Sequence, residues 1–317
     1  MTRPVVAVLH AEHRPAGLDE LAAEIRYATT DTLREQLPGA DVLLVWDFFS
    51  GALRDCWDVA EALKWVHVAS AGVDTLLFGD LVESNVVVTN SRGIFDRPIA
   101  EYVLASILAF AKDLPTSARL QRERTWRHRE TELITGTRAL IVGTGAIGRE
   151  TARLLRAVGI DVAGAGRRTR TGDPDFGVVH DSSELSAVVP EVDYLVLLAP
   201  LTDKTRGLIG AKVLSALPQT ARVINVGRGE LVVTDDLVAA LQSGEIAGAA
   251  LDVFDTEPLP PEHPLWAMEN VLISPHLSGD AIGWRDRLER LFVDNFERYA
   301  VGTELLNVVD KRSGYVH

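Results

Sequence analysis

Cysteine is almost absent from this 317-residue chain. Cys56 stands alone, so no intrachain disulfide can form and nothing demands an oxidising compartment. With no CxxC pair and no Cys/His cluster at zinc-ligand spacing, no metal is expected. Long apolar runs are missing too. The longest, Val103 to Ala111, is interrupted by Ser106 and stops at Lys112, short of the ~20 residues that span a bilayer. The run Val5 to Leu9 is too short for a signal-peptide core, and a cytoplasmic protein is expected. Positive charge is in deficit. The 32 Lys and Arg against 45 Asp and Glu leave −13, a field that repels nucleic acid and anionic membranes, so neither is an expected partner. The arginines between Arg119 and Arg129 do not reverse this, because Glu123, Glu130 and Glu132 dilute them; a solvated or subunit-facing helix surface is expected there.

What is present is a globular balance, with enough length for two domains. Short β-rich runs alternate with helical patterns. Val5–Leu9, Val42–Trp46, Trp65–Ala69 and Val86–Thr89 read as strands of a first parallel sheet. A long helical pattern follows from about Pro98 to Leu120, with Pro98 suited to a first helical position. A second series then begins: Arg138–Val142, Ile160–Ala165, Tyr194–Leu198, Arg222–Val226, Ala247–Val253 and Val271–Ser274. Six strands match the count of a dinucleotide-binding domain. The last helical stretch, about Asp280 to Val301, is expected to return to the first domain. The fold class is therefore α/β: two Rossmann- or flavodoxin-like parallel-sheet domains with a cleft between them. Residues 1–98 plus 283–317 would form a discontinuous substrate-binding domain and 99–282 the dinucleotide-binding domain.

The second series opens with Gly143-Thr-Gly145-Ala146-Ile147-Gly148, directly after an apolar strand and at the head of an amphipathic helix, the context that a GxGxxG motif requires. Gly143 suits the tight turn, Gly145 lets the backbone approach a pyrophosphate, and Gly148 lets helix and strand pack closely. The next strand carries Asp161 at the wrong end to reach a ribose. Where NAD enzymes place an acid, this chain has Gly166 followed by Arg167 and Arg168. Guanidinium forks suit a 2′-phosphate, so NADP is preferred, with NAD possible if the arginines form only a solvated loop.

Three further strands end in polar residues that a core does not need: Arg228 in Val226-Gly227-Arg228, Asp252 and Glu257 in Asp252-Val-Phe-Asp-Thr-Glu257, and His276 in Ser274-Pro-His276. Ligands of open parallel sheets bind outside the carboxyl ends of strands, so these four should crowd one site. Reduction of a keto acid needs a proton donor, and His276 is the natural one. Arg228 can pair with the substrate carboxylate, and Glu257 would favour the imidazolium. Asp252 is better placed for the nicotinamide carboxamide.

These residues, with Ser70-Ala-Gly-Val-Asp74, Ile99-Ala-Glu101, Leu198-Ala-Pro200-Leu-Thr, Asn225-Val-Gly-Arg-Gly229 and Leu251-Asp-Val-Phe-Asp-Thr-Glu-Pro-Leu259, resemble the D-isomer-specific 2-hydroxyacid dehydrogenases. The match runs from about residue 40 to the C-terminus. The resemblance implies a catalytic set of Arg228, Glu257 and His276, a small 2-keto or 2-hydroxy acid as substrate, and a homodimer formed through the dinucleotide domain. It also implies that backbone amides around Ala71, Gly72 and Val73 hold the substrate carboxylate, and that Pro200, Thr205, Val226, Gly227 and Gly279 join the cofactor site. The arginines after Gly166 make the chain look most like the NADP-preferring glyoxylate/hydroxypyruvate reductases, where a first-domain tryptophan can enter the substrate pocket. Trp46 is a candidate, as is Trp284. Formate dehydrogenases pair their histidine with Gln, so Glu257 argues against that chemistry. A short-form phosphoglycerate dehydrogenase and a dinucleotide-sensing binding protein of the same fold are the alternatives.

Overall fold

The computed structural model describes residues 3–316; Met1, Thr2 and His317, which fall in the expected first domain, lie outside them. The chain divides into two compact units, Met1–Phe95 with Ala281–His317, and Asp96–Asp280.

The first unit holds a wholly parallel sheet of β1 (Val5–Leu9), β2 (Glu24–Ala28), β3 (Val42–Val45), β4 (Trp65–Val68) and β5 (Val87–Thr89), in the order β2-β1-β3-β4-β5. That order is the flavodoxin-like one. The runs of β3 and β4 are fully buried, which is why β3 reads as unbroken apolar sequence and β4 is apolar but for His67. Strand β2 is an addition to the expected set. As an edge strand it needs only a partly buried face, and Glu24-Ile-Arg-Tyr-Ala28 carries two charges. The Trp284–Val301 helix belongs to this unit and buries Leu288, Phe292, Asn295 and Phe296. Phe292 stacks on Trp65 with ring centroids 5.3 Å apart, a contact worth roughly 0.5–1.5 kcal/mol beyond its buried area.

The second unit has eight strands, not the six expected. They are β6 (Arg138–Val142), β7 (Asp161–Gly166), β8 (Arg170–Asp173), β9 (Gly177–Asp181), β10 (Tyr194–Leu197), β11 (Arg222–Asn225), β12 (Gly248–Leu251) and β13 (Val271–Ile273), ordered β13-β12-β11-β10-β6-β7-β9-β8. All pairs are parallel except β8 with β9. The extra hairpin, β8 and β9, has no long apolar run to announce it. The expected helix from Pro98 to Leu120 is two helices, Asp96–Ala111 and Leu114–Arg122, with Pro98 third in the first of them. The break falls at Asp113, whose φ of 49° is left-handed. Chain order reverses between β6 and β10, and the switch point of such a sheet is where a dinucleotide binds. No helix among the described residues is long and apolar enough to cross a membrane.

Candidate active site

The glycine turn lies at that switch point. Gly143 follows β6 with φ 116°, and a Cβ there would fall 2.5 Å from the Leu198 carbonyl carbon just beyond β10. A Cβ on Gly148 would sit 2.0 Å from the Gly143 carbonyl oxygen, so neither position admits a side chain. Gly145 differs: a Cβ would meet nothing within 4 Å. It precedes the Ala146–Ala157 helix, whose first turn contains Ala146, Ile147 and Gly148 and has no side-chain cap. Uncapped amides at a helix start, beside open space and a crowded turn, fit a pyrophosphate. Residues Pro200 and Thr205 close the loop after β10, where the Thr205 hydroxyl donates to the Pro200 carbonyl at 2.7 Å.

Arg167 and Arg168 follow β7 on exposed backbone, immediately before the β8–β9 hairpin. An ionic latch fastens that hairpin to the Ala146–Ala157 helix. Arg149 reaches Asp173 at 3.0 Å and Asp175 at 2.8 Å, Arg153 reaches Asp175 at 2.8 Å, and Arg170 pairs with Asp173. Burial alone would push the Asp173 carboxyl up, but Arg149, Arg170 and the amides of Asp175 and Phe176 hold it well below the usual carboxylate range. Arginines in the helix therefore anchor the segment that follows Arg167 and Arg168.

At the other end of the sheet the structure brings Arg228, Glu257 and His276 into one neighbourhood. Nδ1 of His276 donates to Glu257 Oε2 at 2.8 Å, with both side chains about one-third exposed. Because a carboxylate only accepts, the Nδ1 proton is fixed and Nε2 is left to exchange protons. Burial pushes the Glu257 carboxyl up; the bonds from His276 and the Phe254 amide, with the charges of His276 and Arg228, hold it below its ordinary value. Arg228 follows β11, where Asn225 shapes its loop: the Asn225 side chain donates to the Arg228 carbonyl at 2.9 Å and accepts from the Gly227 amide at 3.2 Å. Val226 and Gly227 are buried beneath it. A Cβ on Gly229 would lie 1.8 Å from the Phe254 carbonyl carbon, so glycine is what lets the Arg228 and Glu257 loops approach.

Asp252 stands at the end of β12 and is fully buried. Its carboxylate accepts from the Leu277 and Ser278 amides, each at 2.9 Å, and from the Ser274 hydroxyl, so much of its capacity is spent on the loop that carries His276 and leads to Gly279. The supporting roles of Asn225 and Ser274 were not found from sequence. Both lie inside the motifs, but a short polar residue at a strand end does not reveal which backbone it will brace.

In the first unit, Ala71, Gly72 and Val73 follow β4 in a turn held from within: Ser70 donates to the Gly72 carbonyl at 2.6 Å and Asn90 to the Ala71 carbonyl at 2.6 Å. Trp46 follows β3 and is 8% exposed, hence largely packed. Trp284 makes an edge contact with Phe48 and a tilted one with Phe95. Arg92 donates to the Val316 carbonyl at 3.0 Å and is only half-buried.

A Rossmann sheet with an open phosphate turn and a carboxylate-oriented histidine at its strand ends defines a dinucleotide-dependent dehydrogenase. Residues 104–278 match the family model described as D-isomer specific 2-hydroxyacid dehydrogenase, NAD binding domain. A glyoxylate reductase of Aeropyrum pernix is 33% identical over 267 residues, covering 81% of this chain and 79% of its own. A D-isomer specific 2-hydroxyacid dehydrogenase from Xanthobacter autotrophicus, solved in complex with NADPH and MES, superposes with a TM-score of 0.83 at 32% identity, over 99% of this chain and 100% of that one. An NADPH-dependent glyoxylate/hydroxypyruvate reductase from Sinorhizobium meliloti, in complex with NADP and sulfate, gives a TM-score of 0.82 at 28% identity, over 99% of this chain and 100% of that one. The chain belongs to the D-isomer specific 2-hydroxyacid dehydrogenase family. It is an oxidoreductase that acts on CH–OH groups with a nicotinamide dinucleotide.

Proposed function

We propose that this enzyme reduces small 2-keto acids of the glyoxylate and hydroxypyruvate kind, prefers NADPH to NADH, and uses His276 as its proton donor. The observation that carries the reading is the 2.8 Å pair of His276 with Glu257, in the neighbourhood of Arg228. The bound dinucleotide supplies or accepts the hydride. Everything else falls to the protein. Glu257 keeps a proton on Nδ1 and stabilises the imidazolium, so that Nε2 can deliver a proton to the nascent alkoxide. Arg228 pairs with the substrate carboxylate and polarises the carbonyl. Gly145 and the helix amides hold the pyrophosphate, while Arg167 and Arg168 take a 2′-phosphate. Substrate-binding roles for Ala71, Gly72, Val73 and Trp46, a homodimer and a cytoplasmic location belong to the same reading. The Sinorhizobium and Aeropyrum relatives support the substrate class by their names, and the two solved complexes support NADPH.

The test is a kcat/KM panel of glyoxylate, hydroxypyruvate, pyruvate and phenylpyruvate with NADPH and NADH, run beside His276→Gln. The variant should lose about 10²–10⁴-fold in kcat while binding cofactor almost normally; near-normal turnover would assign the proton to another group. In Arg167→Ala with Arg168→Ala, NADPH affinity should fall by about 10–100-fold and NADH affinity little. Equal loss for both cofactors would remove the 2′-phosphate assignment. Cofactor binding without turnover of any keto acid would point to a dinucleotide sensor.

A further inference from the structure

His276 has a left-handed backbone, with φ 53°. For a residue with a Cβ this costs about 1–2 kcal/mol, so the surroundings must hold it there. Asp252 does much of the holding. Its carbonyl accepts from the His276 amide at 2.8 Å, and its carboxylate accepts from Leu277 and Ser278, the two residues that follow. The carboxylate in turn is braced from behind. Ser274 has one hydroxyl proton and donates it to Asp252, because a carboxylate can only accept. Tyr102, on the Asp96–Ala111 helix, lies 2.5 Å from the same hydroxyl oxygen and must therefore be the donor to it. Burial pushes the Tyr102 phenol up, which keeps the proton this donation needs.

We propose that Tyr102 and Ser274 are positioning residues for proton transfer: the one-way chain from Tyr102 through Ser274 to Asp252 locks the 274–278 loop and so aims the His276 imidazole. The inference rests on His276 as the proton donor. Neither side chain needs to meet substrate. Their effect passes through the carboxylate and two amides to the strained residue between Pro275 and Leu277. With Ser274 truncated, one lone pair of a fully buried carboxylate loses its partner, and the carboxylate gains freedom to rotate away from the amides. The imidazole would still bind Glu257, but from a loop free to relax out of the left-handed region, and a small misplacement of a proton donor costs rate more than binding.

The test compares Ser274→Ala, Tyr102→Phe and the conservative Ser274→Thr in the full-length enzyme with NADPH, using whichever keto acid of the panel turns over fastest. In Ser274→Ala kcat should fall about tenfold, and in Tyr102→Phe severalfold, with KM for the keto acid and Kd for NADPH within about twofold of wild type. Ser274→Thr, which keeps the hydroxyl, should recover most of the rate. A second readout needs no turnover: hydrogen exchange at the Leu277 and Ser278 amides should quicken in Ser274→Ala and not in Ser274→Thr. Unchanged kcat and unchanged exchange in both Ser274→Ala and Tyr102→Phe would overturn the proposal. So would a rate loss carried wholly by KM or by cofactor affinity. His276→Gln, assayed alongside, separates the two ideas. If it is nearly fully active the proton-donor reading falls; if it is inactive while Ser274→Ala and Tyr102→Phe match wild type in rate and exchange, only the positioning chain falls.

Discussion

Each unit buries one fully enclosed ionisable group beside a loop assigned to the reaction, and the two are satisfied in opposite ways. In the dinucleotide unit it is Asp252, 0% exposed, which faces two amide N–H groups and a hydroxyl. All three are donors, the set that suits an anion. In the other unit it is His67, also 0% exposed. Trp65 donates its indole N–H to the Thr89 hydroxyl at 2.8 Å, and that hydroxyl lies 2.8 Å from His67 Nδ1. Ser91 spends its proton on the Val68 carbonyl, so its oxygen, 3.3 Å from Nε2, is left to accept. The neutral ring with its proton on Nε2 satisfies every member; a second proton on Nδ1 would strand the Thr89 hydrogen. Burial pushes the His67 ring down to about 3. Burial and hydrogen bonding thus act together at His67, where both favour the neutral ring, whereas the buried Asp252 carboxylate is met by donors alone.

Asp252→Ala should break this arrangement most severely. It leaves the Leu277 and Ser278 amides and the Ser274 hydroxyl without their acceptor, at about 1–3 kcal/mol for each group that water cannot reach. A loss of about 3 kcal/mol or more in urea unfolding is expected, together with at least about 10²-fold in kcat as the His276 loop slackens. Wild-type stability in the variant would mean that the carboxylate's desolvation cost cancels its bonds, and the contrast with His67 would dissolve.

His67→Gln sharpens the same contrast through pH. The folded ring titrates near 3 while the unfolded one titrates near 6.5, so the stabilising difference is complete above about pH 6.5 and shrinks as pH falls toward 3. Between pH 7 and 4.5 this ring alone should cost the fold about 2–3 kcal/mol. Glutamine does not titrate, so the variant, though less stable at pH 7, should lose that much less on acidification in paired urea titrations. An identical slope in both proteins would place the acid sensitivity on other groups, and not on the Asp173 latch, whose depressed carboxyl surrenders its contribution only below the ordinary carboxylate range and so stays intact down to about pH 4.5.

Residues that obey a periodicity or end a strand were legible in the sequence; residues that brace others were not. The GTGAIG turn, Arg228, Glu257 and His276 could be found because apolar strands such as β6 and β11 point to their own ends, and polar side chains there have no packing reason to exist. Strand β2 escaped because an edge strand pairs on one side only, so its five residues carry Glu24 and Arg26. The β8–β9 hairpin escaped because charge holds it: Asp173 and Asp175 read as loop acids until Arg149 and Arg153 are seen one helix away. Asp113 broke a helix that its neighbours' periodicity predicted as continuous. Asp252 is legible as a strand-end acid, but its bonds to Leu277 and Ser278 are not, because they span 25 and 26 residues of chain, a distance over which no local pattern carries information.

Tyr194 sets the lower bound on what a buried polar group contributes. It starts β10, is 0% exposed, and its hydroxyl has no hydrogen-bond partner among the described residues. The nearby Arg222 guanidinium sits 6.0 Å from the ring centroid and is committed to Glu132 through two bonds of 2.7 Å. Burial pushes the phenol up against the opposing influence of Arg222, so it stays neutral, and desolvation is the larger part of what its hydroxyl experiences. Deleting the oxygen removes that cost and breaks no bond, while the ring keeps its packing. Tyr194→Phe should therefore lie within about 0.5 kcal/mol of wild type or be up to about 1 kcal/mol more stable in urea unfolding, with unchanged kinetics. If instead the variant is destabilised by more than about 1 kcal/mol, the hydroxyl has a partner such as buried water, and Tyr194 joins Asp252 and His67 as a satisfied group.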